Sequence, residues 1–265
     1  MLQIDSLYKQ DYEKFQILHS KHKEQVMEAT HTSSVKVLLK SFKKSKLYKY
    51  KYDWYFQREV PLELYFLIRL NEFPFVPRYY NYLEGKDWST IVMELLENEW
   101  KSGYHFFKIL PEESVTKRIF KNIINYVYEM AKSGFYHVDL KPKNIMVNTK
   151  TFDVKFIDFE NMVFNKHEDP KSSSIDGTIG FKSPESYGGN CYEIKPSLVF
   201  NMGCLAYSCL EYKIPFQSEA DTRRSSPLKT LKSSLEAESF IQECTCRNKE
   251  LRMDFHEMLE HPWFS

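Results

Sequence analysis

The sequence has almost no net charge, no long apolar run and no pair of cysteines at metal-binding spacing. Its 265 residues carry 37 Lys and Arg against 36 Asp and Glu, so overall charge gives no argument for nucleic-acid or membrane partners. A bilayer-spanning helix needs about 20 apolar residues. The most apolar helical candidate, LVFNMGCLAYSCL, is too short and too polar for that. Met1 is followed by a polar, Tyr/Lys-rich start without the apolar core of a signal peptide, so an intracellular, reducing compartment is expected. The five cysteines are Cys191, Cys204, Cys209, Cys244 and Cys246; the one close pair, Cys244-Thr-Cys246, has neither zinc-finger spacing nor a second pair. Internal repeats and a Pro/Gly/Ser-rich linker are also missing, which excludes solenoids and independently tethered domains.

What is present suits a soluble unit with a substantial core, at 42% hydrophobic residues. EKFQIL, QVMEAT, SVKVLLKSF and STIVMEL (Ser89 to Leu95) read as strands, and VPLELYFLIRL as a helix packed on their sheet. After Glu99 the pattern turns helical. EESVTKRIFKNIINYVYEMAKSG sets Ile119, Ile123, Val127 and Met130 on one face, with Gly134 as a C-cap. NIMV, the turn NTKT and VKFI read as a hairpin, and the remainder is mostly helical. The Lys/Tyr run KSFKKSKLYKYKY has the composition of a nucleic-acid stacking surface. A solvated loop between strand and helix is the better reading, and no nucleic-acid or membrane partner is expected.

Chemistry concentrates in YHVDLKPKNIMVNTKTFDVKFIDFE. Asp139, Lys141 and Asn144 precede the hairpin, and Asp158 follows it, so the returning chain brings Asp158 back toward Asn144. Asp and Asn oxygens have the hardness that suits magnesium carrying phosphates. A second Asp and a Lys beside them would orient a hydroxyl and neutralise a transferred phosphoryl group. Taken singly, each is an ordinary loop residue.

In order, these segments resemble the eukaryotic protein kinase family. HVDLKPKN is similar to the catalytic loop, DFE stands where the metal-binding DFG belongs, and GTIGFKSPE is similar to the substrate segment ending in Ala-Pro-Glu. LVFNMGCLAYSCLEYKIPF and CRNKELRMDFHEMLEHPWF resemble the central and closing helices of the large lobe. VPLE, HPWF and the general brevity resemble the PIM group of Ser/Thr kinases. The resemblance implies an α+β, bilobal kinase-like fold forming one domain over 1–265, with an N-lobe at about 1–95, a hinge at about 94–98 and a C-lobe at about 99–265.

It also implies roles. Asp139 would be the base, Lys141 the stabiliser of the moving phosphoryl, and Asn144 and Asp158 the magnesium ligands. Lys40 would hold the ATP phosphates, aligned by Glu63. Val26 and Leu38 would cover adenine, Met146 would lie beneath it, and the backbone of Glu94 and Leu96 would meet its edge. For these apolar residues plain core packing stays an equal reading. Thr178 would brace Asp139 and Lys141, and Glu185 would pair with Arg252. Lys141 resembles the Ser/Thr class, which implies ATP, Mg2+ and protein substrates with Ser or Thr acceptors.

The departures are specific. His19, Lys21 and Glu24 occupy the three glycine positions of the phosphate loop, where glycine lets backbone approach phosphate. Lys21, His22 and Lys23 would supply side-chain charge instead, or the segment is a plain strand-turn-strand. Glu160 replaces the DFG glycine; it would join the metal shell, repel triphosphate or face solvent. Val138 removes the arginine that receives an activation-loop phosphate on residues such as Ser172, Ser173 and Ser174. Leu198 replaces an anchoring Asp, Leu38 a small alanine, and Lys143 an acidic residue that attracts basic substrates. Together they support either a kinase independent of loop phosphorylation or a pseudokinase acting as a binding module. Further expectations are a monomer, no appended regulatory domain, and a cytoplasmic site with a nuclear fraction left open (in a host cell, were the source viral).

Overall fold

Strand-forming alternation dominates the chain before Asn98. A computed structural model describes residues 11–21, 24–44, 49–109, 111–168, 170–173, 177–188, 190–224 and 228–265, and the chain divides into a unit ending at Asn98 and another beginning at Glu99. In the first unit, β1 (Tyr12–Lys21), β2 (Glu24–His31) and β3 (Lys36–Lys43) are followed by a hairpin of β4 (Tyr50–Asp53) and β5 (Arg58–Pro61). Helix α1 (Leu62–Arg69), β6 (Tyr79–Glu84) and β7 (Trp88–Glu94) complete it. The main sheet runs β1-β2-β3-β7-β6 with every neighbouring pair antiparallel.

The period of two along a strand decides what each face does. Met27, Ala29, Val37, Leu39 and Val92 close a buried core with Tyr12 on one face. Residues of the opposite parity on β2 and β3 (Val26, Leu38 and Lys40) are half-buried on the other. Helix α1 buries Leu64, Phe66 and Leu67. The helix expected over Val60–Leu70 therefore starts two residues later, because Val60 and Pro61 are still paired in β5. The Lys/Tyr run is likewise not one loop: its tail is β4, whose Tyr-Lys-Tyr alternation is itself a strand pattern. Asp53 at the end of β4 is buried and takes the Arg69 guanidinium at 2.6 Å, tying the hairpin to the end of α1.

The second unit opens with β8 (Trp100–Ser102), α2 (Gly103–Phe107) and α3 (Glu113–Lys132). Helix α3 is amphipathic: Thr116, Ile119, Phe120, Ile123, Ile124, Val127 and Met130 are buried, at the three- and four-residue spacing of one helical face. It ends where Gly134 takes φ +83° and donates its amide to Ala131 O at 2.9 Å, a left-handed cap that a side chain would strain. Then follow β9 (Phe135–His137), β10 (Ile145–Asn148), β11 (Val154–Phe156), β12 (Met162–Phe164), β13 (Lys171–Ser172) and β14 (Tyr192–Glu193). The hairpin read from sequence is β10 against β11, antiparallel with Ile145 opposite Phe156; β8 joins on the other side of β10. Asn148 shapes the turn by accepting the amides of Lys150 and Thr151.

Helices α4 (Ile194–Glu211), α5 (Glu219–Arg224), α6 (Leu235–Cys244) and α7 (Glu257–Glu260) finish the unit. Helix α4 is buried on nearly every side, and Gly203 lets α6 approach it: a Cβ there would meet Cys244 Cβ at 2.5 Å. Trp263 and Phe264 pack with Phe120 of α3 and Phe240 of α6, ring centroids 4.8 to 6.4 Å apart. Cys204, Cys209 and Cys244 lie in this core, where burial pushes their thiols well above the usual range. Among the described residues, no helix is long and apolar enough to cross a membrane.

Candidate active site

In the first unit, Lys40 leaves β3 on the half-buried face and meets Glu63 in the first turn of α1. Its Nζ lies 2.8 Å from Glu63 Oε1 and 2.6 Å from Oε2, and Glu63 is only 3% exposed. A carboxylate so buried would be costly without its cation, by about 3–5 kcal/mol, so the pair fixes the helix relative to the sheet. Cross-strand pairing puts Val26 opposite Lys40, and Leu38 lies two residues along β3 on the same face. Glu94 ends β7 opposite Val37, with its carboxylate accepting the Arg78 amide at 3.0 Å. Leu96 is half-buried in the segment after it. The β1–β2 ladder extends to Lys21 opposite Glu24, so all three glycine-replacing residues are paired strand residues. His22, Lys23 and the Lys21 side chain lie outside the described residues.

In the second unit, the candidate base Asp139 sits between β9 and β10 and is 3% exposed. Its Oδ2 accepts Lys141 Nζ at 2.6 Å and its Oδ1 accepts the Thr178 hydroxyl at 2.7 Å, while Lys141 also reaches Thr178 Oγ1 at 2.6 Å. These three side chains form a closed triangle. Asn144 donates Nδ2 to the Asp139 carbonyl at 2.9 Å, which leaves its Oδ1 as the atom with metal-ligand chemistry. Ile157 donates its amide to Asn144 O at 3.0 Å, and through that bond the β10–β11 hairpin delivers Asp158 to the Asn144 end of the loop. Asp158 has φ +69°, a left-handed backbone that costs a non-glycine residue roughly 1 kcal/mol. The buried ring of Phe159, 6.0 Å from His137, secures the chain just beyond it. Glu160 is half-buried in the short turn Phe159–Asn161.

His137 is the floor of this loop. It accepts the Asp139 amide on Nδ1 at 3.3 Å, and its Nε2 lies 3.4 Å from Ile157 O. One nitrogen accepting and the other donating describes a neutral imidazole. Burial holds its pKa below the ordinary value, against the pull of the Asp158 and Asp139 carboxylates.

Supports expected from the sequence resemblance are in contact too. Arg252, whose side chain is fully buried, grips Glu185 bidentately at 2.6 and 3.1 Å and donates to the Cys246 and Pro196 carbonyls. Met146 is half-buried on β10, opposite Ser102 and Lys155. Exposed Lys143 lays its ammonium 5.3 Å from the Tyr104 ring. Leu198 is 2% exposed within the core.

Two residues with no role read from sequence also reach the loop. Asn161, the last letter of DFEN, directs Nδ2 toward Asp139 Oδ2 at 3.4 Å and accepts the Val138 amide on its carbonyl. Asn201 donates to Leu140 O and Phe181 O. The available signal was a polar amide inside an apolar helical run, since buried amides are retained where they are hydrogen-bonded.

A loop aspartate is thus gathered with a lysine, an asparagine and a threonine, next to a second aspartate on a hairpin, and residues 13–264 match the protein kinase domain family, to which the chain belongs. It is similar to serine/threonine-protein kinase pim-2 of Danio rerio, 31% identical over 152 residues, covering 57% of this chain and 48% of that protein. Serine/threonine-protein kinase 1 of African swine fever virus (isolate Pig/Kenya/KEN-50/1950) is 26% identical over 210 residues, 78% of this chain and 70% of the viral one. Cds1 of Schizosaccharomyces pombe, also a serine/threonine-protein kinase, is 26% identical over 227 residues, 79% of this chain and 47% of that protein. The chain thus spans about half the length of two of these relatives.

Proposed function

We propose that this protein transfers the γ-phosphate of ATP to serine or threonine hydroxyls of protein substrates, without needing phosphorylation of its activation loop. The observation that carries the proposal is the Asp139–Lys141–Thr178 triangle. Asp139 is oriented by Lys141 and Thr178 and accepts the substrate hydroxyl's proton, while Lys141 carries positive charge to where phosphoryl charge moves. The formed Lys40–Glu63 pair supports phosphate binding by Lys40. Val26, Leu38 and Met146 would line the adenine site, with the Glu94 and Leu96 backbone at its edge. On this reading the chain is one kinase domain with its hinge at 94–98, acting as a monomer inside the cell.

The donor set fits magnesium. Asn144 Oδ1 and the Asp158 carboxylate are hard oxygens, and the Ile157–Asn144 bond sets their chain segments side by side. Magnesium held there would neutralise phosphate oxygens. The residues' own work is to position that charge and to keep Asp139 aimed. Lys141, two residues after Asp139, supports hydroxyl acceptors of the Ser/Thr type, as do the names of the relatives.

The test is transfer of labelled γ-phosphate from magnesium ATP to a generic Ser/Thr acceptor, by the purified chain and by Asp139→Asn. The variant should lose at least about 100-fold in rate, the scale of removing a general base. Equal background from both proteins would reject catalysis and favour the binding-module reading.

A further inference from the structure

Helix α4 is apolar on nearly every side, yet Asn201 is buried in it at 5% exposure. Its Nδ2 uses both hydrogens: one goes to Leu140 O at 2.9 Å and the other to Phe181 O at 3.1 Å. These carbonyls belong to two segments distant in sequence. Leu140 directly follows Asp139. Phe181 closes a turn in which its own amide returns to Thr178 O at 3.0 Å. The turn has little freedom, because Gly180 takes φ +92° and a Cβ there would meet Phe216 O at 2.4 Å.

The contacts form a circuit. Asp139 Oδ1 takes the Thr178 hydroxyl, Thr178 connects through its turn to Phe181, Phe181 O takes Asn201, and Asn201 returns to Leu140 beside Asp139. We propose that Asn201 is a positioning residue: its amide clamps the catalytic loop and the 177–183 segment onto α4, and so holds Thr178 against Asp139. Nothing in the kinase resemblance assigns this role to position 201. The resemblance puts an acidic anchor at 198, where this chain has buried Leu198. An acid would accept hydrogen bonds from the loop, whereas Asn201 donates to carbonyls from one turn further along the helix. The chemistry of the anchor is reversed in sign.

The consequence for transfer rests on the proposed kinase activity; the clamp itself does not. It is therefore tested first by hydrogen exchange of the unliganded protein, comparing wild type with Asn201→Ala. Amides of 137–145 and of 177–184 should both exchange about tenfold faster or more, since two buried bonds are lost together, with α6 unchanged. Faster exchange in only one segment, in neither, or uniformly across the unit would overturn the clamp. If Asn201→Ala is not obtained folded, Asn201→Ser supplies the same readout: its shorter side chain has one donor, so at least one of the two segments must loosen. The second measurement is labelled phosphate transfer, where Asn201→Ala should lower kcat with little change in the KM for ATP. Loosening of both segments in a protein whose wild type transfers nothing would reject the kinase activity and retain the clamp. An active wild type whose variant exchanges as it does would reject the clamp alone.

Discussion

At the scale of single residues, Thr178 discriminates between an aimed base and an ordinary buried ion pair. Its hydroxyl donates to Asp139 Oδ1 and accepts from Lys141, so the Asp139 carboxylate cannot rotate without breaking a bond. Valine has threonine's shape without the hydroxyl. Thr178→Val should lower kcat by about 10- to 100-fold, the range expected when a reacting group is displaced by a fraction of an ångström. Thr178→Ser should restore most of it, and the KM for ATP should change little in either. A Thr178→Val protein with the wild-type kcat would remove Thr178 from the aiming of Asp139. The triangle was legible in sequence because Asp139, Lys141 and Asn144 fall within one short loop and Thr178 belongs to an ordered motif. Asn161 carries no local mark, and the polar amide of Asn201 in an apolar helical run marks a buried hydrogen bond without naming its partner: each acquires its contact only when distant segments pack together.

At the scale of elements, strands and helices with clean periodicity were readable: β1, β2, β3, β7 and α3 all have side chains alternating or recurring at the right interval. The β4–β5 hairpin was hidden because the lysines of the run leading into it suggested solvent, although Tyr50 and Asp53 are held by pairing and by Arg69. Helix α3 offers an energetic test. Glu113 in its first turn accepts the Ser234 amide at 2.7 Å and the Trp263 indole at 3.0 Å, joining α3 to the start of α6 and to the aromatic cluster. Burial alone would raise the Glu113 pKa, but the Ser234 and Trp263 hydrogen bonds outweigh it and leave it below the usual 4.5. A carboxylate depressed in the folded state contributes stability that is present above its unfolded pKa and lost as pH falls through the folded value. Glu113→Gln would turn an NH2 toward groups that are themselves donors. It should destabilise the protein by about 1–3 kcal/mol at pH 7. The gap in denaturant midpoint between wild type and variant should narrow below pH 4.5, where Glu113 begins to protonate. A gap that stays constant on acidification would show that the charge of Glu113 contributes nothing to this junction.

At the scale of the whole molecule, the family was legible because the order of motifs along a chain is a one-dimensional signal, and it survives the loss of individual residues such as the phosphate-loop glycines. Regulation is a property of the whole chain, and under the proposed kinase activity the loss of a cation at residue 138 favours independence from a loop phosphate. A loop phosphate acts by recruiting a cation that ties the loop to the catalytic segment. Val138 offers no charge at the position where the family supplies an arginine. On the Asp139 side of the site, Thr178 and Asn201 supply protein contacts that tie the catalytic loop to its neighbours. Ser172 is also a poor acceptor, being 8% exposed and paired through β13 with Tyr192; Ser173 is exposed, and Ser174 lies outside the described residues. Replacing Ser173 and Ser174 by alanine together, and Ser172 separately because it is buried, should leave kcat per folded molecule at the wild-type value. Phosphatase treatment of the wild type should change nothing either. Loss of activity in the Ser173→Ala, Ser174→Ala protein, reversed by acidic residues at the same positions, would mean that a phosphate is required after all and that a cation other than residue 138 receives it.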